Sequence, residues 1–183
     1  ERLDDINKYF SVELGSVFRD EEINFIPKNS SLGKKTSALF GSINSKLSEN
    51  ANINYNFRVD NNYDRFEYNA LSANLIFGNF DTTFDWVEEN GDVGDANFLS
   101  NASTYKFNDE NIITFKTRRN RKINFTEYYD LIYEYKNDCL IAGLKYKKQF
   151  YSDRDLKPSE SLLFSITFYP FTSYEHNETN LFK

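Results

Sequence analysis

Asn52-Ile53-Asn54-Tyr55-Asn56-Phe57-Arg58-Val59 alternates polar and apolar side chains without a break. Successive side chains of a strand point to opposite sides, so Ile53, Tyr55, Phe57 and Val59 share one face and the three Asn-type neighbours with Arg58 share the other. The 3.6-residue period of an amphipathic helix is absent. The same alternation returns at Phe80 to Trp86, Tyr129 to Lys136, Leu140 to Lys147 and Leu162 to Phe168. Asn, Thr, Tyr and Phe recur, and the last three suit a pleated surface. Working outward gives ten strands, over 8–18, 36–46, 51–60, 66–77, 80–88, 99–107, 111–118, 126–136, 139–149 and 161–171. Most lie near the roughly 9–11 residues that cross a bilayer at a tilt. The expected fold is therefore all-β, an antiparallel up-and-down meander forming part of a larger transmembrane barrel over 1–172, with a polar tail over 173–183.

Composition narrows the function classes. The 183 residues carry a net charge of -6, which disfavours a nucleic-acid partner held through phosphates. Aromatics reach 17%, yet the mean hydropathy is -0.67. A helical membrane protein needs unbroken apolar runs of about 20 residues, and none is present. A barrel needs only an apolar residue at alternate positions, so many aromatics and a polar average coexist in it. A soluble β-sandwich satisfies the same composition. The chain opens at Glu1, contains no Met and starts without a signal peptide, and is read as a piece of an exported protein. Its lone Cys139 has no internal bridge to make, which suggests a thiol elsewhere or a small buried side chain.

The connections add direction. Tight turns are expected at Leu47–Asn50, Gly78–Asn79, Asn108–Glu110 and Asn137–Asp138, and longer loops at 19–35, 61–65, 89–98, 119–125 and 150–160. Short and long alternate, as in barrels with short periplasmic turns and longer external loops. The Asn137–Asp138 turn then faces the periplasm, with Cys139 at that oxidising rim.

Motifs for covalent chemistry are poor, and no enzyme activity, cofactor or metal is expected. The only histidine, His176, falls in the polar tail, away from any Ser-His-Asp arrangement. Gly33-Lys34-Lys35-Thr36 imitates the end of a phosphate-binding loop, but Lys28 stands where the first Gly is needed. Asn90-Gly91-Asp92-Val93-Gly94-Asp95 lacks calcium-loop spacing and reads as a solvated loop. Arg118, Arg119, Arg121 and Lys122 form a basic cluster in an expected external loop. It could pair with lipid phosphates, although a solvated loop or pairing with neighbouring carboxylates is favoured. Asp153-Arg154-Asp155 with Pro158 and Glu160 reads as a charged loop whose exposed pairs contribute below about 1 kcal/mol each.

Several of these stretches together resemble one family. They are Tyr129-Asp130-Leu131-Ile132-Tyr133-Glu134-Tyr135-Lys136-Asn137-Asp138-Cys139-Leu140, then Gly143-Leu144-Lys145-Tyr146, Asp153-Arg154-Asp155-Leu156-Lys157-Pro158 and Ser161-Leu162-Leu163-Phe164-Ser165-Ile166-Thr167. In this order they resemble the C-terminal region of the lipopolysaccharide-assembly outer-membrane proteins (LptD, also OstA or Imp). Upstream, Asn29-Ser30-Ser31-Leu32-Gly33 and Thr36-Ser37-Ala38-Leu39-Phe40-Gly41 resemble an earlier loop and strand of that barrel. The resemblance implies a large barrel in the Gram-negative cell outer membrane that releases lipopolysaccharide sideways between its first and last strands. It implies an outer-membrane lipoprotein plug (LptE-like) and periplasmic lipopolysaccharide-bridge components as partners. It implies that Cys139 forms a disulfide to a periplasmic domain; many members have two adjacent cysteines, whereas Leu140 follows here, leaving one bridge. Strand 161–171, with Ser161, Leu162, Phe164, Ile166 and Phe168, would be one side of the lateral gate. The alternatives are another outer-membrane barrel, of porin or adhesin type, and a soluble binding sandwich.

Overall fold

The computed structural model describes residues 8–27, 30–91, 93–151, 156–169 and 172–179. The alternating stretches are strands: β1 (Tyr9–Gly15), β2 (Leu39–Ser48), β3 (Ala51–Val59), β4 (Phe66–Phe77), β5 (Phe80–Glu89), β6 (Asn97–Lys106), β7 (Asn111–Asn120), β8 (Phe125–Lys136), β9 (Leu140–Gln149), β10 (Ser159–Phe168) and β11 (Thr172–Thr179). They form one antiparallel sheet in sequence order, and it is not closed: β1 and β11 each have a single neighbour. The one helical element among the described residues is a 3-10 turn at Ser31–Gly33, capped by the Ser30 hydroxyl. The chain divides into two compact units, Glu1–Leu75 with Phe84–Leu99, and Ile76–Thr83 with Ser100–Lys183.

Three expectations change. The segment read as a polar tail over 173–183 is a strand over Thr172–Thr179, paired with β10 from Ser161↔Thr179 to Phe168↔Thr172. Its sequence, Thr-Ser-Tyr-Glu-His-Asn-Glu-Thr, has almost no apolar alternation; backbone pairing to a neighbour is what orders it. Strand 161–171 is consequently not the last strand. Finally, the expected long loop at 119–125 shrinks to 121–124, because β7 runs on to Asn120 and β8 starts at Phe125. It is no longer than the connection at 107–110, so the alternation of short and long has one tie. Of the segments singled out in the sequence, Asn29, Asp92 and Asp153-Arg154-Asp155 lie outside the described residues.

Candidate functional site

Register sorts the side chains of each unit into two unlike faces. In the first unit, one face carries the rows Gly15–Phe40–Arg58–Tyr68, Glu13–Ser42–Asn56–Ala70 and Ser11–Asn44–Asn54–Ser72. The other carries Leu14–Gly41–Phe57–Asn69, Val12–Ile43–Tyr55–Leu71 and Phe10–Ser45–Ile53–Ala73. The polar rows bond internally: Asn54 donates to Asn44, Asn56 Nδ2 to Asn54 Oδ1 at 2.6 Å, and Ser72 Oγ to Asp85 Oδ1 at 2.7 Å. In the second unit the polar face holds Lys116–Asp130–Lys147–Ser161 and Thr114–Ile132–Lys145–Leu163, with Lys145 Nζ 2.8 Å from Asp130 Oδ2. Its apolar face holds Phe115–Leu131–Tyr146–Leu162 and Ile113–Tyr133–Leu144–Phe164.

Burial favours polar side chains over apolar ones. Among the described residues the only buried hydrophobic side chain is Ala38, whereas Ser31, Ser37, Asp60, Glu67, Asn69, Thr82 and Asp130 are buried. Large apolar side chains lie open, among them Phe10 at 59%, Phe84 at 43%, Leu131 at 44% and Phe164 at 39%. A water-soluble fold buries such side chains, each worth about 1.5–3 kcal/mol. On the apolar face, β7 to β10 carry charge only at the end next to the 121–124 and 150–158 loops, where Arg119, Lys148 and Glu160 stand. Lys148 and Glu160 pair there at 2.6 Å. Aromatic rings cluster toward that end (Phe115–Tyr129 stacked at 6.1 Å, Tyr129–Phe150 edge-on at 5.9 Å) and toward the opposite end, where Tyr105 meets Phe107 at 5.0 Å.

Two hairpins share a device. Where β3 leaves for β4, the register shifts after Arg58, which faces Tyr68 while Val59 faces Phe66. Glu67 is the extra residue, so it swings toward the polar face and its Oε2 lies 2.9 Å from Arg58 Nε. Where β7 leaves for β8, Arg118 faces Tyr128, Arg119 faces Thr126, and the extra Glu127 lies 2.9 Å from Arg118 Nε. Arg58, Asp60, Glu67 and Tyr68 thus recur at identical spacing as Arg118, Asn120, Glu127 and Tyr128. Period-2 alternation does not show this, because a bulge interrupts it; the repeated Arg-x-Asp/Asn with its distant Glu-Tyr is the signal the sequence holds.

Loops of the first unit are knitted above the Arg58–Glu67 pair. Asp60 Oδ1 accepts from the Asp64 and Arg65 N–H groups at 3.0 and 3.4 Å, and Lys34 Nζ donates to Asn61 Oδ1 at 2.7 Å. Asn90 N donates to the Glu67 carbonyl at 2.8 Å. Burial pushes the Asp60 carboxyl upward, but N–H donation from Asp64, Arg65 and Asn62 outweighs it and holds the group below the usual 3.8.

The residues expected to carry function are distributed as follows. Cys139 is exposed in the short connection between β8 and β9, which Asn137 shapes by accepting from the Cys139 and Leu140 N–H groups at 3.0 and 2.8 Å. It is the only cysteine of the chain. Leu162, Phe164, Ile166 and Phe168 line the apolar face of β10, and Ser161 its polar face, with β9 on one side and β11 on the other. The basic cluster is divided: Arg118 and Arg119 belong to β7, not to a loop, and only Arg121 and Lys122 sit in the connection. Arg118 is held by Glu127, and Arg119 donates to Asn124. His176 lies in β11 opposite Phe164. Among the described residues no three His, Cys, Asp or Glu side chains converge to hold a metal ion. No protein-family model matches the chain, and no curated protein matches it.

Proposed function

We propose that the chain is a stretch of wall from an outer-membrane β-barrel that delivers lipopolysaccharide to the outer leaflet. The observation that carries the reading is the inverted burial: rings and aliphatic side chains open on one face, whose bonded Asn69–Glu88 and Lys148–Glu160 groups stand toward its loop end, and rows of hydrogen-bonded amides, hydroxyls and ion pairs on the other. In hydrocarbon every backbone polar group needs a partner, and a paired sheet with apolar side chains outward meets that condition. Confinement of Arg119, Lys148 and Glu160 to one end of the apolar face supports a charge-free band between two interfaces. Aromatic clusters at both strand ends support girdles at those interfaces.

The cargo is supported by the resembling stretches, which fall on β8, its connection to β9, and β10. In this reading lipopolysaccharide moves past the polar face, with a lipoprotein plug and periplasmic bridge components as partners. Cys139 bonds to a thiol of a periplasmic domain. The gate lies at the β11 edge, with the β10 residues Leu162, Phe164, Ile166 and Phe168 behind it.

One pair of substitutions tests the wall. Leu131→Arg puts a cation on the apolar face and is expected to lose about 2–4 kcal/mol of folding in bilayers. Ser165→Arg puts the same charge on the polar face, over Gly143, and is expected to integrate normally. Equal behaviour of the two, or a full-length protein that stays monodisperse in buffer without detergent, removes the membrane reading. For the cargo, depletion of the protein in cells should reduce surface-accessible lipopolysaccharide; an unchanged surface would leave a barrel with a different task.

A further inference from the structure

The polar face of the first unit is not uniformly polar. Beside the Asn and Ser rows lies a recess of about 580 Å³, within the roughly 300–1,000 Å³ of small-ligand pockets. One side is the row Phe40–Arg58–Tyr68, the next is the row Glu13–Ser42–Asn56, and Val93 overhangs from the 90–96 loop. Gly15 continues the first row with open space: no heavy atom stands within 4 Å of where its Cβ would be. Arg58 is fixed twice, by Glu67 at 2.9 Å and over the Phe40 ring at 5.6 Å, so its planar guanidinium is held in place before any ligand arrives.

We propose that this recess is a saccharide-binding subsite. A sugar ring has an apolar C–H face and a rim of hydroxyl groups, each both donor and acceptor. Phe40 and Tyr68 supply aromatic surface for the first. Ser42, Asn56, Glu13 and the fixed guanidinium supply a hydroxyl, an amide, a carboxylate and a planar donor edge for the second. A site for an acyl chain would have no use for that second row. The subsite rests on the barrel reading only in naming its sugar: the glycan of a lipopolysaccharide passing along the polar face, handed from one row to the next.

The test uses the full-length protein in lipid nanodiscs and core oligosaccharide released from lipopolysaccharide by mild acid, followed by saturation-transfer NMR. Saturable binding is expected, weakened about tenfold by Phe40→Ala, the loss of one aromatic contact. Gly15→Phe is the second variant; its Cβ meets no heavy atom within 4 Å, and its ring, set beside the recess, should abolish binding while the sheet stays intact. Wild-type binding in both variants, or displacement of the sugar by lauric acid, overturns the proposal. No binding in a protein that integrates and delivers lipopolysaccharide removes the subsite and leaves the barrel. Binding that follows both variants in a protein that delivers nothing supports the subsite and removes the cargo.

Discussion

The Arg58–Glu67 and Arg118–Glu127 pairs have the same separation, 2.9 Å, and the same bulge, but not the same surroundings. Side chains of the first are 14% and 5% exposed, and those of the second 38% and 33%. A second cation marks part of the difference. Above the first pair, Asn90 bonds the Glu67 carbonyl, and Arg65 comes within 3.6 Å of Glu67 Oε1. Above the second, Phe150 N bonds the Glu127 carbonyl in the same way, at 2.8 Å, yet the pair stays half-exposed. One motif thus serves as a buried anchor in one hairpin and a half-solvated clasp in the other. Its energetic weight is set by what covers it, not by its own geometry.

The largest effect that could break this contrast is at Glu67. Glu67→Gln takes the Glu67 charge away from the buried Arg58 guanidinium, and about 3–5 kcal/mol of stability should be lost. Glu127→Gln removes a pair of identical length in a wetter place, and the expected loss is about 0.2–1 kcal/mol. Denaturant titration of both variants under identical conditions measures the gap. Equal losses would mean that the loops of the first unit do not exclude water from the Arg58 pair.

This contrast also marks how far the sequence reaches. Strands such as 66–77 and 80–88 fall within a residue of β4 and β5, because each alternates cleanly and a two-residue Gly78–Asn79 turn, with Gly78 at φ 58, ends the ambiguity. Cys139 reads as the first residue of a strand over 139–149, whereas β9 begins at Leu140 and Cys139 belongs to the turn before it. What alternation could not reveal was a strand without alternation: β11 is ordered by pairing along β10, a long-range backbone effect invisible in its own residues. Nor could it reveal which Arg had a partner. Arg118 and Arg119 read as loop cations because the extra Glu127 breaks the period where β8 begins, and the bulge is what brings Glu127 to Arg118. The recess along Phe40, Arg58 and Tyr68 needed three strands in register, which no single stretch encodes.

A second contrast concerns two strand glycines. A Cβ at Gly41 would sit inside the Phe57 ring, which crosses β2 there and stacks on Tyr55 at 5.6 Å. Gly41→Ala must therefore move a ring held by Tyr55 and, edge-on at 5.9 Å, by Phe66, and a loss of about 1–3 kcal/mol is expected. At Gly143 the nearest atom is the Ser165 hydroxyl, 2.7 Å from the added carbon, and a hydroxyl can change rotamer. Gly143→Ala should lose less than about 1 kcal/mol. Thermal unfolding of the two variants decides; a tolerant Gly41 would show that the Phe57 ring is free to leave its place.

Acid should separate the two loops that follow the paired arginines. Asp60 and Asn120 occupy matching positions, and both side chains accept backbone N–H groups: Asp60 from Asp64 and Arg65, Asn120 from Lys122 and Ile123 at 3.1 and 3.3 Å. Only one of them titrates. The Asp60 carboxyl is held below its usual 3.8, so its contribution is complete above that value and disappears as pH falls through the lower folded value. Protection of the amides in 60–65, relative to their intrinsic exchange rates, should therefore drop on acidification below about pH 4, while protection in 121–124 shows no such step. Asp60→Asn should erase the step and make the two loops alike. A step that survives the substitution would assign the acid response to another carboxylate.

The smallest effect expected is in the same two loops, at their left-handed residues. Tyr63 has φ 62 and Asn124 has φ 53. Asn adopts this region readily, because its short polar side chain bonds locally, whereas a bulky Tyr is strained there by about 1–2 kcal/mol. Glycine removes that strain but brings more freedom to the unfolded chain, which takes back about 0.4–1 kcal/mol. Tyr63→Gly should therefore stabilise by about 0.5 kcal/mol, and Asn124→Gly should be neutral or slightly destabilising, the more so because it removes the acceptor of Arg119. Matched denaturation curves resolve the sign. If Tyr63→Gly destabilises instead, the Tyr63 side chain contributes more to the covered loops of the first unit than its backbone strain takes away, and the cover over Arg58 and Glu67 would extend to that ring.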